Sequence, residues 1–150
     1  MSLSRRCGNL VSTPLEVARF FRALLRMNSL VSAASLAEMT RFAPIDNGWG
    51  AGSIAYGLGL MIQQTSLKKR ATKPPSPHDD GAYVGHGGDT YGFLSEQGFY
   101  PTINATIAVV ANSDAKGYFV KNVLACGAYK IVAKATLTRA VDVRCLKSDA

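Results

Sequence analysis

The sequence is poor in the residues that hold metals and carry redox chemistry. It has 2 histidines and 3 cysteines in 150 residues, and no Cys-x-x-Cys pair. Zinc and dithiol chemistry are unsupported on that count, and no cofactor or metal site is expected. No apolar run approaches the roughly 20 residues that a membrane span needs, so no span is expected. Arg5 and Arg6 are followed by no apolar stretch, so Met1–Leu10 as it stands does not read as a secretory signal. No internal repeat is visible, and disordered, collagenous and low-complexity classes are excluded by 47% hydrophobic residues beside 18% charged ones. What remains is a globular chain of one-domain size.

Charge has a sign but no focus. Lys and Arg outnumber Asp and Glu by 17 to 10, a formal +7. The only cationic cluster is Lys68-Lys69-Arg70 with Lys73. It adjoins the loop composition Lys73-Pro74-Pro75-Ser76-Pro77, with no aromatics interleaved as a base-stacking platform requires. Charge alone argues for solubility and association, and no nucleic-acid partner is expected. Cys126 falls in an apolar helical pattern and reads as a small core residue. Cys7 and Cys145 lie in the two tails, about 1–7 and 137–150, where a bond between them stays open.

The elements that are present are clearly punctuated. Thr13-Pro14-Leu15-Glu16 has a capping residue, a proline suited to the first helical position and a glutamate able to reach back to the cap. Leu15, Ala18, Phe21 and Leu25 then recur at helical spacing, which predicts an amphipathic helix to about Met27. A second helix starts with Ser32 as cap and should bury Leu36 and Met39. From Ile54 the period becomes two. Ile54, Tyr56, Leu58, Leu60 and Ile62 should share one face of a strand whose other face is nearly bare and closely approached.

Thr65–Gly81 reads as a polar loop and Ala82–Gly85 as a short strand leading into Gly85-His86-Gly87-Gly88-Asp89. Phe93–Tyr100 is the next strand. Ala105–Ala111, apolar on both faces, reads as a central one. A long helix from Gly117 to about Ala135 should bury Val120, Val123, Leu124, Gly127 and Ile131. Strands joined by short connections, with helices before and after, predict an α+β fold: an antiparallel sheet flanked by helices.

Five segments in order carry a resemblance. They are Gly8-Asn9-Leu10-Val11-Ser12-Thr13, Leu30-Val31-Ser32 with Leu36-Ala37-Glu38-Met39, Tyr56-Gly57-Leu58-Gly59-Leu60, Gly85 to Phe93, and Ile107-Ala108-Val109-Val110-Ala111-Asn112. Together they resemble the C-terminal part of the serine β-lactamase-like family, which includes class C β-lactamases, D-Ala-D-Ala carboxypeptidases and related esterases. The resemblance implies a partial β-lactamase/transpeptidase-like fold, a single partial domain over 1–150, and acyl-serine hydrolysis of a small-molecule or peptide substrate.

The family works through a Ser-x-x-Lys, a Tyr-x-Asn or Ser-x-Asn, and a Lys-Thr-Gly or its His-Gly-Gly variant. Only the third is matched, by His86-Gly87-Gly88. By that resemblance His86 binds a substrate carboxylate or relays a proton. Gly87 and Gly88 let the substrate backbone lie along the strand, and Asp89 donates its backbone N–H to the oxyanion hole. The bland alternative for His86 is a turn residue between glycines.

Ser66-Leu67-Lys68-Lys69 is a literal Ser-x-x-Lys, but it sits in the polar loop and is rejected as a nucleophile. Trp49, among Gly48, Gly50 and Gly52, lines a cleft or caps the core. Asn104-Ala105-Thr106 fits a glycosylation sequon, which matters only in a secreted chain. Because strong signal starts a few residues after Met1, the nucleophile is expected upstream and the chain alone is expected to be inactive. The alternative is a non-catalytic interaction module, pairing with a complementary chain across an open sheet surface.

Overall fold

The computed structural model describes residues 10–47, 51–65, 73–90, 92–113 and 119–145. The elements follow in the order α1 (Pro14–Leu25), α2 (Ala33–Met39), β1 (Ala43–Pro44), β2 (Ala55–Tyr56), β3 (Met61–Gln64), β4 (Ala82–Thr90), β5 (Phe93–Tyr100), a 3-10 turn (Pro101–Ile103), β6 (Ala105–Ala111) and α3 (Phe119–Thr136). All six strands form one antiparallel sheet in sequence order, β1-β2-β3-β4-β5-β6. The predicted α+β architecture is the observed one.

The opening of α1 has the predicted chemistry. Glu16 N–H donates to Thr13 Oγ1 at 3.3 Å, Thr13 N–H donates to Glu16 Oε2 at 3.0 Å, and Pro14 takes the first turn. These bonds satisfy donors that a helix start would otherwise leave orphaned. They also hold the Glu16 carboxyl below its usual pKa, with the Thr13 backbone bond the largest cause. The helix ends at Leu25, and it buries Phe21 and Leu24 while Leu15 faces solvent. Ser32 caps α2 by accepting from Ser35 N–H at 3.1 Å. Leu36 and Met39 are half-buried against the core beneath α1.

Four expectations are corrected. The run from Ile54 to Ile62 is two short strands, not one. Gly59, at φ +68°, turns the chain between β2 and β3 and leaves Leu58 exposed. The predicted close approach to the bare face is real. The Met39 carbonyl accepts from Leu58 N–H at 3.1 Å and occupies the space a Cβ would need at Gly57. The strand before His86 is longer than predicted, because β4 runs through the glycines to Thr90 and pairs with β5 along the way.

The third correction concerns β6, which is the last strand of the sheet and not a central one. Its apolar character on both faces is explained by α1 and α3, which both pack on it. The fourth concerns α3. Its buried face is Lys121, Ala125, Cys126, Tyr129 and Ala133, whereas Leu124 and Ile131 are 50% and 74% exposed. The helix is apolar nearly all round, so periodicity alone selected the wrong stripe.

Two cores lie on opposite faces of the sheet, since the neighbours Tyr83 and Val84 in β4 belong to different ones. Under α1 and α2, Phe21, Leu24, Ala55, Leu60, Ile62 and Val84 pack together. Under α3 the core is built on Tyr83, Tyr100, Tyr129, Ile103, Ile107 and Ala133. Cys126 is buried in this core, as expected, and forms a disulfide with Cys145.

The segment after α3, read as a tail, is anchored as far as that bond. Asp80 accepts from Arg139 through both oxygens at 2.7 and 2.8 Å and from Asp142 N–H at 3.2 Å. The Arg139 bond is the largest cause holding the Asp80 carboxyl below its usual range. Val143 is buried. Arg26 Nε donates to Asn104 Oδ1 at 2.7 Å, tying the end of α1 to the turn before β6.

Candidate functional site

The site is built on the second half of β4. β3 pairs with β4 only from Ala82 to Gly85, whereas β5 pairs with it from Val84 to Thr90. Among the described residues, the β3-side edge therefore has no strand partner from His86 to Thr90. Here the burial of β4 relaxes, from buried Gly85 through half-buried His86 and Gly88 to exposed Asp89 and Thr90. An extended backbone with an open edge can pair with an extended ligand through main-chain hydrogen bonds.

His86 stands at the head of this open edge and is not a free turn residue. Tyr56, Met61 and Gly85 form one cross-strand row over β2, β3 and β4. The Tyr56 phenol reaches the next residue along, its oxygen 2.5 Å from His86 Nε2, with the rings edge-on at 5.6 Å. His86 Nδ1 is 2.5 Å from the Gly87 carbonyl oxygen. A carbonyl can only accept, so Nδ1 carries a proton, and in the neutral ring Nε2 accepts the Tyr56 hydroxyl. The imidazole is thus fixed in orientation and tautomer, with a phenol poised on its other nitrogen.

Gly87 and Gly88 differ in what they admit. A Cβ at Gly88 would meet Ser95 Oγ at 2.9 Å. A Cβ at Gly87 would point into the α3 core, toward Ser95 O at 3.3 Å, Lys121 Nζ at 3.4 Å and Gln63 Nε2 at 3.8 Å. Lys121 Nζ donates to Ser95 O at 3.2 Å. Glu96, the cross-strand partner of Gly87, is only 2% exposed, and burial pushes its carboxyl up to about 7 against the opposing pull of Thr65, Lys121 and Tyr100. Burial also lowers the Lys121 ammonium pKa, while Glu96 and Asp89 raise it.

The structure brings His86, Gly87, Gly88 and Asp89 onto one strand, and it adds Tyr56, Ser95, Glu96 and Lys121, which sequence reading missed. Tyr56 lies 30 residues from His86, a separation that carries no spacing signal. Trp49, Ser66–Arg70 and Cys7 lie outside the described residues. A second Ser-x-x-Lys, Ser113-Asp114-Ala115-Lys116, was passed over in the sequence. Its Ser113 is exposed at the end of β6, separated from β4 by β5, and 114–118 lie outside the described residues. Among the described residues no group of three or more His, Cys, Asp or Glu is placed to hold a metal ion. None of the described helices is long and apolar enough to cross a membrane.

Residues 5–125 match the family model described as Beta-lactamase. The chain belongs to the β-lactamase family. Solved structures agree on the fold. A D-amino acid amidase from Ochrobactrum anthropi SV3, complexed with D-phenylalanine, is 22% identical with a TM-score of 0.61, over 85% of this chain and 37% of that one. A D-stereospecific amidohydrolase from Streptomyces sp. is 28% identical with a TM-score of 0.50, over 69% of this chain and 26% of that one. The β-lactamase-family chain therefore spans between a quarter and two fifths of these solved chains. No curated protein matches it.

Proposed function

We propose that this β-lactamase-family chain supplies the substrate-binding strand and oxyanion donor of a serine hydrolase that cleaves amides of D-amino acids. β-Lactams, D-Ala-D-Ala peptides and esters are further substrates of the same acyl-serine chemistry. The observation that carries this is the Tyr56–His86 hydrogen bond at the head of the open edge of β4. The substrate class is taken from the similar proteins, a D-amino acid amidase and a D-stereospecific amidohydrolase.

In this reading the substrate lies along His86–Thr90. A serine attacks its carbonyl carbon, and the Asp89 backbone N–H stabilises the resulting oxyanion. One such donor contributes about 3 kcal/mol to lowering a barrier. His86, oriented by Tyr56, binds the substrate carboxylate or passes a proton to the leaving amine. Water then releases the acyl group. In this reading the nucleophilic serine is supplied from outside the described residues, and the isolated chain has negligible turnover.

The test is labelling by a fluorophosphonate probe, together with hydrolysis of D-phenylalanine amide and of a chromogenic cephalosporin. The expected result is no labelling and no turnover above buffer. Turnover by the chain alone, abolished by Ser113→Ala or Ser66→Ala, would place the nucleophile inside it and overturn the assignment.

A second reading starts from one observation, although the matched proteins favour the hydrolase. Among the described residues the outer edge of β6 pairs with no strand, so a complementary chain adding a strand there would complete the sheet. A monodisperse monomer with a cooperative melt in size-exclusion and thermal experiments would argue against a need for that partner.

A further inference from the structure

We propose that Lys121 and Glu96 form a buried charged support beneath the open strand, with the Lys121 ammonium packed against the side of Gly87 where a side chain would begin, and that this support positions the Gly87–Asp89 backbone. The resemblance gives Gly87 to the substrate, but the geometry gives it a second task. Its missing Cβ points toward α3, not along the strand edge, and Lys121 Nζ lies 3.4 Å from where that carbon would sit. Glu96 is directly opposite Gly87 on β5, and Ser95, directly opposite Gly88, accepts the Lys121 hydrogen bond at 3.2 Å. One ammonium thus reaches the register positions that flank both glycines. A methyl at 87 would touch both Ser95 O and the ammonium, and a longer side chain would press on them.

Burial makes this support responsive. Glu96 and Lys121 are 2% and 3% exposed, and an ion pair out of water persists only where geometry and further hydrogen bonds repay desolvation. Burial opposes ionisation of Glu96, while Thr65, Lys121 and Tyr100 favour it. The titratable groups acting on this pair are Tyr83 and Asp89 from β4 and Tyr100 from β5. Burial and the Glu96 carboxylate hold Tyr83 and Tyr100 well above the ordinary phenol range, so both stay neutral. Asp89 acts on Lys121 from the exposed side. Between acid and mild alkali the buried member that changes charge is Glu96, with a midpoint near 7. When it ionises, the pull on Lys121 strengthens, and the strand above responds. The support bears on the reading of this strand as substrate-binding, and it rests on that reading only for its purpose.

The test is an NMR titration of the isotope-labelled full chain from about pH 5 to about pH 9. It follows the Glu96 side-chain carboxyl carbon and the Gly87, Gly88 and Asp89 amides. The amides are expected to move with the carboxyl, at one midpoint, and to do so in His86→Gln as well. Glu96→Gln should abolish that step, and Lys121→Met should shift the Glu96 midpoint upward by removing its cation. The proposal is overturned if Glu96 titrates while the three amides stay still. It is equally overturned if their titration survives Glu96→Gln and disappears in His86→Gln. The unsubstituted chain alone decides the first outcome, so a variant that fails to fold does not block the test. No substrate is used, so failure here leaves the hydrolase reading standing, and the converse holds.

Discussion

The two faces of the sheet are held by different physics. Under α1 and α2 the buried side chains are Phe21, Leu24, Leu60, Ile62 and Val84, with no buried charge among them. Between the sheet and α3 three tyrosines are buried, with tilted rings whose centroids lie 5.0 and 5.4 Å apart, alongside Glu96, Lys121 and a disulfide. The first face is fixed by apolar area and would tolerate repacking that conserves volume. The second is fixed by specific partners and a covalent tie. It is also the face beneath Gly87. The lesson is that the strand proposed to bind substrate rests on the polar core, where geometry is sensitive to charge, while the apolar core supplies bulk stability.

The comparison can be broken at its apolar side first. Phe21→Ala should cost about 3–5 kcal/mol, the range for deleting a buried aromatic, read from denaturant unfolding. It should leave the pH response of the Gly87–Asp89 amides intact. On the other face, Cys145→Ser should cost about 3 kcal/mol, since the bond closes a loop with a sequence separation of 19. Limited proteolysis should then cut first between Leu137 and Arg144. Protection equal to that of the oxidised chain would show that the Asp80–Arg139 contacts hold the segment alone.

The smallest effect is a slope. The Glu96 pKa is raised by folding from its ordinary 4.5 to about 7, so the folded chain binds more protons than the unfolded one in that window. Stability should therefore fall as pH rises from about 4.5 to about 7, by at most about 1.4 kcal/mol per pH unit, and level off above. Glu96→Gln should remove this component of the slope. An unchanged profile in that variant would assign the slope to other groups.

Much of the fold was legible because its signals are local. Thr13 with Glu16 and Ser32 with Ser35 mark helix starts within one turn, and short connections imply antiparallel pairing. The misreadings came where local pattern is degenerate. The α3 helix is apolar on several stripes, and the stripe that is buried contains a lysine, which hydrophobic periodicity discards. Gly57 and Gly59 look like a strand's small face, yet Gly59 turns the chain. Of the site, His86–Asp89 was legible as a contiguous motif. Tyr56 and Lys121 were not, because register brings them to β4 from 30 residues before His86 and 34 residues after Gly87. Glu96 was missed although it is close in sequence, since nothing local marks a strand glutamate as buried.

The position of β6 has a practical consequence. Its residues, Ala-Thr-Ile-Ala-Val-Val-Ala, include no charge, proline or glycine. Natural sheets guard their outermost strands with such residues. A bare β-rich heptapeptide of this composition has the makings of a dry, self-stacking fibril seam. Self-association through this edge is then the expected hazard when the isolated chain is concentrated. A single lysine at Val110, already half in solvent, is the natural gatekeeper to introduce.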